Sequence, residues 1–149
     1  MIFRRARAED LAAILSLLVD DTLGASRDSG GGDLAPYRAA FAQIDADPHQ
    51  LLAVSADAGR IVGTLQLTFI PGLSRAGALR GQIEAVRVAS DMRGRGIGAA
   101  MIAWAVEECR RRGCALVQLT TDRSRTDAHR FYDRLGFEAS HLGYKMALR

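Results

Sequence analysis

The segment whose residue types most restrict the chemistry of this chain is Arg93-Gly94-Arg95-Gly96-Ile97-Gly98, set in the context VASDMRGRGIGAAMIAWAV. A strand-like apolar run precedes it and a run of small and apolar residues at helical spacing follows. A helix N-terminus offers unpaired backbone N–H groups and a partial positive charge, so an anion docked there satisfies both. Glycines let the oxygens of a phosphate approach that backbone. Three glycines after a strand also serve a tight turn that binds nothing.

Two familiar phosphate loops do not fit. The chain lacks the Gly-Lys-Ser/Thr of a Walker loop, and GRGIGA is one residue short of Gly-x-Gly-x-x-Gly, with no parallel strand–helix units upstream. The pyrophosphate of coenzyme A is the anion left to consider.

The elements around the loop follow from periodicity. Ile2 and Phe3 open a first strand, and Leu11, Ile14, Leu15 and Leu18 mark a helix from about Ala8 to Asp20. TLGASRDSGGGDLAPY, with Gly24, Gly30, Gly31 and Gly32, reads as a mobile loop. Pro36 then suits the first turn of a second helix, carrying Tyr37, Ala40, Phe41 and Ile44 and ending near Asp47-Pro48.

From Gln50 the period drops to two. LLAVSAD and IVGTLQLTFI form a hairpin about Asp57-Ala58-Gly59-Arg60. In QIEAVRVAS the alternation slips by one, the mark of a bulge. The glycine loop leads into a long helix stopped at Gly113, CALVQLTT is a buried strand, and TDAHRFYDRL is a short helix stopped by Gly136. Residues 137 to 148 are expected to add one or two closing strands. These elements give an α/β (α+β) fold, a mixed sheet with helices on both faces, in a single domain over residues 1–149.

Composition narrows the function. At 149 residues the chain can bury a core without disulfides or metals. Cys109 and Cys114 lie five apart with no metal-ligand company, so two plain thiols and no metal are expected. No apolar run reaches the roughly 20 residues of a membrane span, and MIFRRARAED lacks the apolar stretch of a signal peptide, so a cytoplasmic protein without membrane attachment is expected. Nineteen of the twenty basic residues are Arg, whose planar fork suits phosphate, but the net charge is only +3. That excess is spread along the chain and lacks aromatic interleaving, which argues against a nucleic-acid partner.

With the loop between a bulged strand and a helix, the chain resembles the GCN5-related N-acetyltransferase (GNAT) family, whose signature Gln/Arg-x-x-Gly-x-Gly/Ala is filled by Arg93, Gly96 and Gly98. IFRRARAEDLAAIL is similar to that family's first strand and helix, and AHRFYDRLGFEA to its last helix and the strand after it. The resemblance implies an acyl-CoA N-acyltransferase fold with a mixed, mostly antiparallel central sheet of six to seven strands. It also implies acetyl-CoA as co-substrate and transfer of an acetyl group to a primary amine by direct attack in a ternary complex.

The resemblance assigns roles residue by residue. The pantetheine arm would pair with the backbone of Val86, Arg87 and Val88, and the pyrophosphate would sit on the N–H groups of Arg93, Gly94, Arg95, Gly96, Ile97 and Gly98, with the Arg93 and Arg95 side chains adding charge. Aminolysis of a thioester needs a base for the amine and an acid for the departing thiolate. Glu84 stands where the family often places the base, and Tyr132 matches the family's general acid. On residue pattern alone, Glu84 equally pairs with Arg87 or a neighbouring strand's arginine, or binds a cationic substrate without accepting a proton, and Tyr132 beside Phe131 and Leu135 equally belongs to the core.

Many family members carry Asn seven residues before this tyrosine, where this chain has Arg125. Arg125, Arg123 and Arg130 reach either the adenosine phosphates or solvent, and His129 is a minor candidate. The acceptor is a small-molecule or peptide amine, or a protein amine. Its identity is left to Gly24 through Tyr37, where Asp28 and Asp33, with Asp20 and Asp21 just ahead, offer a cation some attraction. Family members are often dimers through their closing strands, so a homodimer is open. A non-catalytic acyl-CoA-binding module on the same fold is the alternative.

Overall fold

The computed structural model describes residues 1–20 and 32–149. Strands β1 (Ile2–Arg5), β2 (Gln50–Asp57), β3 (Arg60–Ile70), β4 (Arg80–Val88) and β5 (Leu116–Leu119) form one sheet in that order. Helices α1 (Leu11–Val19), α2 (Ala35–Ala46), α3 (Ile97–Arg111) and α4 (Thr126–Arg134) surround it. The pairs β1–β2, β2–β3 and β3–β4 are antiparallel, and β4–β5 is parallel. The loop expected over 22–37 lies mostly outside the described residues.

Hydrophobic alternation explains which face each helix covers. Leu65, Leu67 and Phe69 of β3 and Ile83 of β4 pack with Met101, Ile102, Ala105 and Cys109 of α3 in the larger core cluster. On the other face Val54, with Leu52 and Ile61, meets Ile14 and Leu18 of α1 and Phe41 of α2. The expected helices on both faces are therefore present. Asp10 ties the start of α1 to β1, its carboxylate accepting from both Nη atoms of Arg4 at 2.8 and 3.1 Å and from the Arg7 amide at 2.7 Å.

The expected hairpin forms, with Ala58 and Gly59 both at positive φ in its turn. Gly113 and Gly136 stop their helices with φ of 79° and 93°, values that cost an L side chain energy. A single turn at Ser74–Gly77 sits in what the sequence shows only as a connection.

One expectation fails. Among the described residues the sheet has five strands rather than six to seven, and 137–149 form none. Leu142, Tyr144, Met146 and Leu148 keep the strand period but are 74%, 89%, 85% and 91% exposed. With those side chains in solvent, no apolar burial offsets the entropy of ordering the segment into a ladder on β5. No described helix is long and apolar enough to cross a membrane.

A forked sheet beside an uncapped helix

The parallel pairing of β4 with β5 runs from Arg80↔Leu116 to Ile83↔Leu119 and stops there. β4 continues through Glu84 to Val88 while β5 has ended, so the sheet forks at Glu84. On the β3 side of the fork Thr64 faces Arg87 and Gln66 faces Glu84, which leaves two residues of β4 opposite Leu65. Ala85 takes φ 54° to accommodate them. This is the bulge the broken alternation implied, and it re-aims the strand as it leaves the sheet. Arg87 stays opposite Thr64 of β3, while Val86 and Val88 flank it on a stretch that β5 does not cover, their carbonyls accepting from Arg87 Nη1 at 2.9 Å and Arg93 Nε at 3.2 Å.

The glycine loop abuts this stretch. Gly94 and Gly96 have φ of 76° and 79°, and Gly96 is the left-handed N-cap of α3. Its carbonyl accepts from the Ala100 amide at 3.1 Å, so the first turn is formed, yet no side chain caps it and no acid lies in it. The N–H groups of Gly96, Ile97, Gly98 and Ala99 are those a helix leaves without an internal partner. Gly98 lies between Phe131 and Val88: a Cβ there would make ordinary contacts of 3.4 Å with Phe131 Cζ and 3.8 Å with Val88 Cγ2. The loop, the end of β4 and α4 thus converge on one point.

The arginines divide. Arg93 turns away from the loop mouth, its Nε donating to the Val88 carbonyl at 3.2 Å and its Nη2 to the Asp20 carbonyl at 2.9 Å. It braces β4 against the end of α1, a role its place in the signature did not reveal. Arg95 is exposed on the loop. Arg130 pairs with Asp127 on an exposed side of α4 and Arg123 is exposed, which places both with solvent. Arg125 is the N-cap residue of α4 and, with Arg87, lies close enough to Tyr132 to act on its charge. His129 donates from Nε2 to the Asp122 carbonyl at 2.9 Å, fastening the turn before α4.

Tyr132 is both core and candidate acid. Its ring meets Phe131 and Phe137 edge-on at 5.1 and 5.8 Å, within the cluster that includes Val86 and Val88. Burial raises its phenol above the usual 10, against the opposing pull of Arg87 and Arg125. The group therefore holds its proton at neutral pH. Glu84 is exposed at the fork, its Oε1 3.3 Å from the Thr68 hydroxyl, whose single proton is shared between this carboxylate and Gln50 Oε1 at 3.0 Å.

The polar residues beside Glu84 were not singled out in the sequence. Gln50 Oε1 receives Gln66 Nε2 at 2.8 Å and Thr68 Oγ1 at 3.0 Å. Glutamines at 50, 66, 82 and 118 inside otherwise apolar strands were the available signal. The two cysteines behave as plain thiols: Cys109 is buried and its thiol is pushed up to about 12 by that burial and by Cys114, which keeps it inert. No metal-binding group occurs among the described residues.

Comparison with known proteins agrees with this geometry. Residues 11–137 match the acetyltransferase (GNAT) family model. The chain is 37% identical over 116 residues to the aminoalkylphosphonate N-acetyltransferase of Salmonella typhimurium, covering 78% of this chain and 75% of that protein. It is 40% identical over 90 residues to the glucosamine 6-phosphate N-acetyltransferase of Trypanosoma brucei brucei, covering 60% of this chain and 59% of that one. A solved structure described as a transcriptional regulator from Bacillus halodurans C-125 superposes with a TM-score of 0.95 at 44% identity over 99% of both chains.

Proposed function

Because the chain belongs to the acetyltransferase (GNAT) family, we propose that it transfers the acetyl group of acetyl-CoA to a primary amine of a small molecule, by direct attack in a ternary complex. The observation that carries this reading is the fork at Glu84 beside the uncapped start of α3. A strand edge that β5 leaves uncovered suits the amide groups of a pantetheine arm, which would share the Val86 and Val88 carbonyls with Arg87 and Arg93, and four unshared N–H groups suit a pyrophosphate. Acetyl-CoA, when bound, supplies an activated thioester carbonyl.

The chain's own groups then have distinct tasks. Val86, Arg87 and Val88 orient the arm through their backbone, while Gly94 to Gly98 hold the anion. Arg87 and Arg125 add positive charge near Tyr132. At the fork Glu84 accepts the proton the amine must lose, directly or through water, with the Thr68 hydroxyl orienting one carboxylate oxygen. Tyr132 keeps its phenolic proton and gives it to the sulfur as the C–S bond breaks. Amine and thioester are thereby held in one cleft, which makes the step effectively unimolecular.

The two relatives with named substrates act on small amines that carry a phosphonate or a phosphate, which supports a small-molecule acceptor here. The regulator description of the Bacillus structure favours one other reading, an acyl-CoA-binding module without turnover. Titration calorimetry with acetyl-CoA, followed by an amine panel read as free thiol released, separates the two. Binding with thiol release supports transfer, binding without release supports the module, and absence of binding at millimolar acetyl-CoA overturns both.

A further inference from the structure

Four polar side chains lie directly opposite one another in successive strands: Gln50 faces Thr68, Thr68 faces Gln82, and Gln82 faces Gln118. The row crosses β2, β3, β4 and β5 within a sheet whose other positions are largely apolar. It is joined by hydrogen bonds, Thr68 Oγ1 to Gln50 Oε1 at 3.0 Å and Gln118 Nε2 to Gln82 Oε1 at 3.0 Å. All four residues are half-buried, so they are neither sealed in the core nor lost in bulk water.

Side chains two apart on a strand share a face, so Arg80, Gln82 and Glu84 of β4 project to the same side as this row. Along β4 Glu84 and Arg80 flank Gln82 on either side, Glu84 at the fork and Arg80 about 13 Å from it. Arg80 Nη1 donates to Gln118 Oε1 at 3.2 Å, which fastens the guanidinium to the row. That bond uses one of five N–H donors in a planar fork that matches the oxygens of a phosphate. A strip therefore runs from a carboxylate, across amides and a hydroxyl, to a guanidinium.

Polar residues are ordinary on a half-exposed sheet face, but that alone does not call for three glutamines in line with a threonine and for a guanidinium and a carboxylate on the same face. Amide and hydroxyl groups with spare lone pairs and N–H groups match the hydroxyls of a substrate, and polar sites of this kind discriminate strongly against analogues that lack the matching group. We infer that this strip is the acceptor subsite, and that it takes a small hydroxylated amine bearing a phosphate or phosphonate. The amine lies at Glu84, the hydroxyls along Gln66, Thr68 and Gln82, and the anion at Arg80. The inference rests on the acetyltransferase reading for the role of Glu84, and Arg80 is the specificity residue it adds.

The test compares glucosamine 6-phosphate with glucosamine, first by direct binding to the protein with CoA present and then by acetylation. Wild-type protein is expected to bind the phosphorylated sugar at least about tenfold more tightly, the worth of one charge-assisted hydrogen bond. Arg80→Met should bring that ratio close to one, and Arg80→Lys should restore part of it through charge without the fork. A ratio that survives in Arg80→Met, or a wild-type ratio of one, overturns the assignment whether or not acetyl transfer occurs. A ratio that collapses in Arg80→Met supports it even if neither sugar is acetylated, and that lack of product counts against the acetyltransferase reading alone.

Discussion

Gln66 and Glu84 face each other across the β3–β4 ladder at the last ordinary register before Ala85 bulges out. Glu84 therefore marks where the sheet opens, and its carboxylate is held from the side by Thr68 rather than from beyond the fork.

Replacing Glu84 with Gln keeps the shape and the contact with Thr68 but removes the proton acceptor. The expected result is a fall in kcat/KM for the amine of about 10² or more, with acetyl-CoA affinity within twofold. Steady-state kinetics beside calorimetry checks this. Unchanged kcat/KM removes Glu84 from proton transfer.

Tyr132→Phe leaves the edge-on packing against Phe131 and Phe137 in place while deleting the hydroxyl. Turnover should fall about tenfold or more with little change in CoA binding. Burial raises the phenol, so an acid of this kind loses its proton only above its ordinary value of 10. The alkaline loss of kcat in wild-type protein should begin above that pH and should be missing from the residual activity of the variant.

Gly96→Ala tests the loop. The N-cap sits at φ 79°, where an L side chain costs roughly 1–2 kcal/mol. A shift of the loop to relieve that strain turns the first N–H groups of α3 away from the anion. Acetyl-CoA should bind at least about tenfold more weakly by calorimetry, while Gly113→Ala, equally strained at φ 79° but outside the loop, should lower stability without a comparable loss of binding.

Asp10→Asn tests the anchor of α1. It removes charge from hydrogen bonds to Arg4 and the Arg7 amide and should cost about 2 kcal/mol. The hydrogen bond from Arg4 holds the Asp10 carboxyl below its ordinary 3.8, with the Arg7 amide acting the same way and burial opposing both. A folded-state value below the unfolded one means stability present above pH 3.8 and lost as pH falls through the lower folded value. The gap in unfolding midpoint between wild type and variant should be full at pH 6 and shrink below pH 4.

Much of this architecture was legible because it rests on local rules. The switch from a period near four to a period of two at Gln50 marked the hairpin, and the slip in QIEAVRVAS marked the bulge at Ala85. Gly113 and Gly136 announced the helix ends through the conformation they adopt. The closing strands over 137–149 were misjudged for the complementary reason. Leu142 to Leu148 carry the alternation of a strand, but a strand forms only where one face is buried, and these side chains stay in solvent.

The candidate site divides in the same way. The loop could be read as an anion site because the left-handed conformation of Gly94 and Gly96 is a demand on single residues. The inward turn of Arg93 to Val88 and Asp20 could not, since its acceptors lie in other elements.

By itself the sequence determined the elements, the glycine loop before a helix, and the family to which those motifs belong, all written in spacings of a few residues. Tertiary structure alone decided that β4 leaves β5 at Glu84, and that Gln50, Thr68, Gln82 and Gln118 form one row, to which Arg80 is tied through Gln118. Register between strands is chosen by burial and hydrogen bonding across distant segments, and a shift of one residue would send every one of those side chains to the opposite face.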